Sequence, residues 1–165
     1  MLVRKLAAVA VAASVAFGTA GCTFMTPVAT QNAYQPGDGV NVDLGMMPSL
    51  VSARNFVYLV NASGTGALIG SVINQGSQET NLTISTGTVS SSVKVPAAGK
   101  LDFGYNGAAA LDLGVTSAPG TLIKLTVADG AGDSKDVNVP VLDGTFTEYA
   151  GLIPSNPTPA AKPKN

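Results

Sequence analysis

The sequence predicts an all-β domain, an immunoglobulin-like sandwich of two packed sheets with about seven to nine short strands. Three observations carry that expectation. Between positions 38 and 154 apolar side chains alternate with polar ones at a period of two, the spacing of a half-buried strand. Short clusters of glycine, proline, asparagine and serine separate these runs. No stretch of ten or more residues in this region presents an apolar helical face. A small closed barrel is the alternative architecture.

Taken along the chain, Val40, Val42 and Leu44 alternate with polar neighbours and open the series. Phe56-Val57-Tyr58-Leu59-Val60 and the run from Ala67 to Ile73 are dense in β-branched and aromatic side chains, which favour pleated structure. Leu82 and Ile84, then Val89, Val93 and Val95, then Leu101 and Phe103, then Leu111, Leu113 and Val115 continue the alternation. The run from Leu122 to Val127 and the set Val137, Val139 and Val141 complete it. Turns are expected at Ser63-Gly64-Thr65-Gly66, Asn74-Gln75-Gly76, 96–99, Ala118-Pro119-Gly120 and 129–133.

Outside this region the chain reads differently. Arg4 and Lys5 precede a 12-residue apolar run from Leu6 to Phe17, and the small residues Gly18-Thr19-Ala20-Gly21 lead to Cys22. A charged head, a short apolar stretch and small residues make an export signal. The run is shorter than the roughly 20 residues that cross a bilayer. Thr19, Ala20 and Gly21 before the only cysteine resemble a bacterial lipobox, with Thr19 where leucine is usual. That resemblance implies cleavage before Cys22 and a diacylglyceryl cysteine with a further acyl chain such as palmitate. The expected organisation is a signal peptide over 1–21, a lipidated tether over 22–37, the sandwich over 38–154 and a disordered Pro/Lys tail over 155–165. The expected location is the outer, extracytoplasmic face of the cell membrane. Cys22 supplies the attachment there, and an envelope protein or wall polymer would be the further partner.

Composition removes whole classes of chemistry. The 165 residues include no histidine, which excludes Ser-His-Asp and Cys-His nucleophile systems and histidine-ligated metal sites. One cysteine excludes an internal disulfide and a four-cysteine zinc site. The domain holds all ten acidic residues against five basic ones, a net charge of −5, so it has no basic footprint for nucleic acid.

The remaining motifs read as structure. Asp129, Asp133 and Asp136 lack the alternating ligands and distal glutamate of a calcium loop and suit a hairpin turn instead. Gly64, Gly66 and Gly70 fall at the wrong spacing for a dinucleotide loop and precede a strand. Asp102 and Asp112 fit strand ends better than a glycosidase pair. Ser91-Ser92-Val93-Lys94 matches a serine–lysine spacing that works on a helix, whereas strand positions three apart face opposite ways. Met46 and Met47, with Met25 at a distance, are soft thioethers of the kind that bind Cu(I) without histidine. No enzyme activity and no cofactor are expected.

Three segments together carry a wider resemblance: Asp38-Gly39-Val40-Asn41-Val42, the stretch from Gly66 to Asn74, and Val139-Pro140-Val141-Leu142-Asp143-Gly144 with Glu148-Tyr149-Ala150-Gly151-Leu152-Ile153-Pro154. They resemble a group of actinobacterial surface lipoproteins, distantly similar to PCuAC-type periplasmic copper chaperones. The resemblance implies an immunoglobulin- or cupredoxin-like sandwich outside the cytoplasm. The copper motif of those chaperones uses histidine and methionine, and without histidine no ligand set carries over. The function expected is a non-catalytic, membrane-anchored binding or envelope module, with a methionine-based copper chaperone as the alternative.

Overall fold

The computed structural model describes residues 1–25 and 37–153 and divides into two compact units, 1–34 and 35–165. Residues 26–36 of the expected tether and all of the expected tail lie outside the described residues. In the first unit, α1 (Leu2–Met25) is continuous through the alanine-rich run and positions 19–22, whose side chains fall outside the described set. Alanine and leucine are strong helix formers, and no proline interrupts them. Val3, Leu6, Val9 and Val11 are exposed on it. Among the described residues no helix is long and apolar enough to cross a membrane.

The second unit is the expected all-β domain. Its strands are β1 (Val40–Leu44), β2 (Val51–Val60), β3 (Gly66–Asn74), β4 (Thr80–Ser85), β5 (Ser90–Val95), β6 (Lys100–Phe103), β7 (Leu122–Ala128) and β8 (Ser134–Leu142). One short helix, α2 (Thr147–Ala150), follows. β1, β2, β3 and β6 form one antiparallel layer, and β5, β4, β7 and β8 form the other. β8 belongs to both: most of it pairs with β7, while Val141 and Leu142 run parallel to Tyr58 and Leu59 of β2. The strand order is therefore β5-β4-β7-β8-β2-β3-β6, with β1 also on β2.

The period-two pattern becomes the core. Val42, Leu44, Phe56, Tyr58, Val60, Leu68 and Val72 of one layer meet Leu82, Ile84, Val95, Leu125, Val127, Val139 and Val141 of the other, all buried. Residues between them in sequence face out, except along β2 and the first half of β3. There the unbroken run Phe56–Val60 is buried on both faces. Val57 and Leu59, with Ile69 of β3, turn away from the main core and lie under Tyr149, Tyr105 and Leu152. A continuous apolar run is what a strand covered on both sides requires.

One expectation fails. Leu111, Leu113 and Val115 do not form a strand; in place of a ladder, two isolated bridges, Thr65 with Thr116 and Leu68 with Leu111, pair that segment with its neighbours. Leu113 is nonetheless fully buried. Gly114, between Leu113 and Val115, takes a φ of 63°, which breaks the extended conformation that a ladder needs, and Gly107 at φ 80° turns the chain before the segment begins.

Where β2 and β3 meet, the register shifts between Arg54 and Val57, and Asn55 takes a φ of 53°. Gly70, at φ 148°, faces this bulge, and a Cβ there would lie 2.5 Å from the Phe56 ring and 3.0 Å from the Arg54 carbonyl oxygen. Only glycine lets the ring sit there. Gly70→Ala is therefore expected to lower stability by about 2–4 kcal/mol, combining backbone strain with overpacking, as read from the urea unfolding midpoint.

Candidate functional site

The strand order puts the β2–β3 turn, the 116–121 segment and the loop after β8 at one end of the sandwich. They enclose an open cleft of roughly 790 Å³. Its lining includes Asn61, Ser63, Ser117, Pro119, Asp143 and Ile153. The turn is built by Asn61, whose Oδ1 accepts from the Ser63 amide (3.0 Å), the Ser63 hydroxyl (2.6 Å) and the Thr65 amide (3.1 Å). An asparagine that bonds the backbone ahead of it is a standard turn device. The Ser117 amide donates to the Gly64 carbonyl at 2.9 Å, joining the two walls. Ile153 closes the floor against Gly144, where any Cβ would collide with its side chain.

Among the described residues Asp143 is the one carboxylate that lines the cleft. Its Oδ1 accepts from the Thr145 amide at 3.0 Å, and hydrogen bonds from the Thr145 side chain, then its backbone, hold its pKa below the ordinary carboxylate value. The remaining polar groups of the lining are hydroxyls, amides and backbone. That combination can bind a ligand through hydrogen bonds.

The residues singled out in the sequence are scattered. Met46 and Met47 occupy the β1–β2 turn at the opposite end, exposed to 83% and 66%. Gly45 before them lies against the Asp133 and Asp129 carboxylates, which would stand 3.5 and 3.8 Å from a Cβ there. Asp129 does not form a calcium loop: its Oδ1 accepts from the Ala131 and Asp133 amides at 3.0 and 2.9 Å and closes the β7–β8 hairpin. Asp136 is engaged by Lys124 (2.7 Å) and the Thr126 hydroxyl (2.7 Å). Among the described residues no three His, Cys, Asp or Glu side chains gather as a metal site would require. Ser91 and Lys94 lie on β5, with Lys94 paired to Glu79 at 3.1 Å. Asp112 accepts from the Gly114 amide at 2.8 Å.

Two arrangements escape sequence reasoning. Tyr149, on α2, donates from its hydroxyl to Asp38 Oδ2 at 2.7 Å and so links residues 111 positions apart. Burial, then the Asp38 hydrogen bond, pushes its pKa up, so it stays protonated. Nothing local marks this contact in the sequence, where Phe146 and Tyr149 stand among the polar residues Thr145, Thr147 and Glu148. The second is Asp102, which accepts from the Ser71 hydroxyl (2.5 Å), Asn106 (2.8 Å) and Lys100 (2.9 Å).

No protein-family model matches the chain, and no curated protein matches it. Among solved structures it is similar to the apo PCuAC domain of PmoF2, at 7% identity and a TM-score of 0.45. That match covers 64% of this chain and 98% of the other. It is also similar to the apo PCuAC domain of PmoF1, at 13% identity and a TM-score of 0.44, with 62% and 98% covered. The copper-bound PCuAC domain of PmoF2 matches at 9% identity and a TM-score of 0.44, over 62% and 98%.

The Asp102 cluster has a pH consequence. Chiefly through the Ser71 hydroxyl, then Asn106 and Lys100, its pKa is lowered to about 2. A depressed carboxylate stabilises the fold above its unfolded value of about 4, and that contribution is lost as pH falls through about 4 towards 2. Asp102→Asn should be less stable than the parent at pH ~7, and the gap in urea midpoint should close as pH falls towards about 2.

Proposed function

We propose that this protein is an exported, lipid-anchored, non-catalytic binding module displayed on the outer face of the cell membrane. The observation that carries the binding part is the open cleft, lined among the described residues by the Asp143 carboxylate together with hydroxyl and amide groups. It offers a ligand shape and hydrogen bonding. The location rests on Arg4 and Lys5, the apolar run after them, and the sole cysteine directly behind Ala20-Gly21. Two or three acyl chains on Cys22, at about 0.8 kcal/mol per buried methylene, make a stable anchor. The partner is an envelope protein or wall polymer, identifiable by crosslinking in the cell.

A second reading has one observation in its favour. Met46 and Met47 stand exposed together on one turn, and thioethers bind Cu(I) without histidine. In that reading the protein is a copper carrier that uses the β1–β2 turn.

Fractionation tests the anchor: Cys22→Ser should move the protein from the membrane pellet to the soluble fraction, and continued pelleting refutes lipidation. Competitive Cu(I) titration tests the second reading. It predicts binding well below ~1 μM Kd that weakens by about tenfold or more in Met46→Ala/Met47→Ala, and weaker or unchanged binding removes it.

A further inference from the structure

A strand at the edge of a sheet carries a row of unused backbone donors and acceptors, and folds usually blunt it with bulges, prolines or charges. β1 is blunted by a register shift between Val40 and Val42, and β6 is four residues long. β5 is different. Its six residues pair with β4 in unbroken register from Thr80–Val95 to Ser85–Ser90, without proline or bulge. Its single charge, Lys94, is neutralised by Glu79. Among the described residues nothing pairs with its outer side.

The turn that leads into β5 fixes which groups point outward. The Thr86 amide donates to the Val89 carbonyl at 2.9 Å across Gly87 and Thr88, with Gly87 at φ 89°, the pattern of a two-residue type II′ hairpin. Its closing pair is hydrogen-bonded, and bonded and non-bonded pairs then alternate. The pairs Ile84–Ser91, Leu82–Val93 and Thr80–Val95 are therefore bonded. The N–H and C=O groups of Ser90, Ser92 and Lys94 face away from β4. The far side of β4 agrees, since its non-bonded residues Thr83 and Ser85 are the ones that meet Ala128 and Thr126 of β7.

We infer that β5 is a self-association edge, on which a second copy of this chain pairs antiparallel, centred on Ser92. In that register Ser92 faces its own counterpart and Ser90 faces Lys94 of the second copy. All three outward residues of each strand are then matched. No like charges meet, because the two lysines sit at opposite ends of the seam. The central side chains are serines, small enough to leave the approach unobstructed. The four strands β5, β4, β7 and β8 would continue without a break into the same four of the second copy.

The register makes the test specific. A hydrogen-bonded antiparallel pair has Cα atoms about 5.5 Å apart, within disulfide reach, whereas Ser90 and its own counterpart would lie several residues apart. In full-length chains carrying Cys22→Ser, so that the introduced thiol is the only one, Ser92→Cys should give about tenfold more covalent dimer under mild oxidation than Ser90→Cys. Ser92→Pro removes an outward donor that β4 does not use, so sedimentation should show loss of the reversible dimer while the unfolding midpoint stays near that of the parent. If Ser92→Pro proves unfolded, the cysteine pair decides alone. Equal crosslinking at both positions, a monomer at every concentration up to ~100 μM, or capture of Ser92→Cys by a different protein in place of itself overturns the proposal.

Discussion

The pairing of β2 with β3 is the constraint on which the rest of the domain depends. Along Phe56–Val60 the strand is buried on both sides, so each backbone group there must find its partner within the sheet. β3 supplies that ladder on one side, and β1 and the end of β8 share the other. The Tyr58 hydroxyl, buried in the same place, lies 2.8 Å from the Gly66 carbonyl and 2.7 Å from that of Val115, shares its proton between them, and draws the irregular 111–116 segment onto the sheet. Among the described residues no buried side-chain nitrogen or oxygen is left without a partner.

β8 turns this local arrangement into a sandwich. By pairing with β7 along most of its length and with β2 at its end, it makes the two layers one continuous structure folded over a single core. The same crossing carries the chain to Asp143 and Gly144 at the cleft, and then to α2, which covers the outer face of β2. The cleft, the outer cap and the join between layers are thus successive consequences of one strand's path. That path explains why the cleft walls come from three distant stretches of sequence, near residues 61, 117 and 144.

Much of this architecture was legible in the sequence. The alternation of Val40, Val42 and Leu44, or of Val137, Val139 and Val141, marks strands directly, because a strand buried on one face writes its environment at a period of two. Phe56–Val60 marks a strand by its β-branched and aromatic side chains, and its burial on both faces emerges only from the fold. Leu111, Leu113 and Val115 show where the pattern misleads: alternation reports burial, and only the backbone decides whether a ladder forms. Gly114 decided against it. The candidate sites were harder to read. Asp129 and Asp102 are single letters whose roles depend on which amides and hydroxyls the fold brings near them. The Asp38–Tyr149 contact spans 111 positions and leaves no local trace.

That same contact determines how the domain would respond to tension. Asp38 and Tyr149 stand near the two ends of the described domain, so a load applied there meets one hydrogen bond and the small apolar cap over Val57, Leu59 and Ile69. Pulling would peel α2 from the sheet one contact at a time, without shearing the long β2–β3 ladder along its length. A domain arranged in this way yields first at its cap and keeps its sandwich intact under modest force.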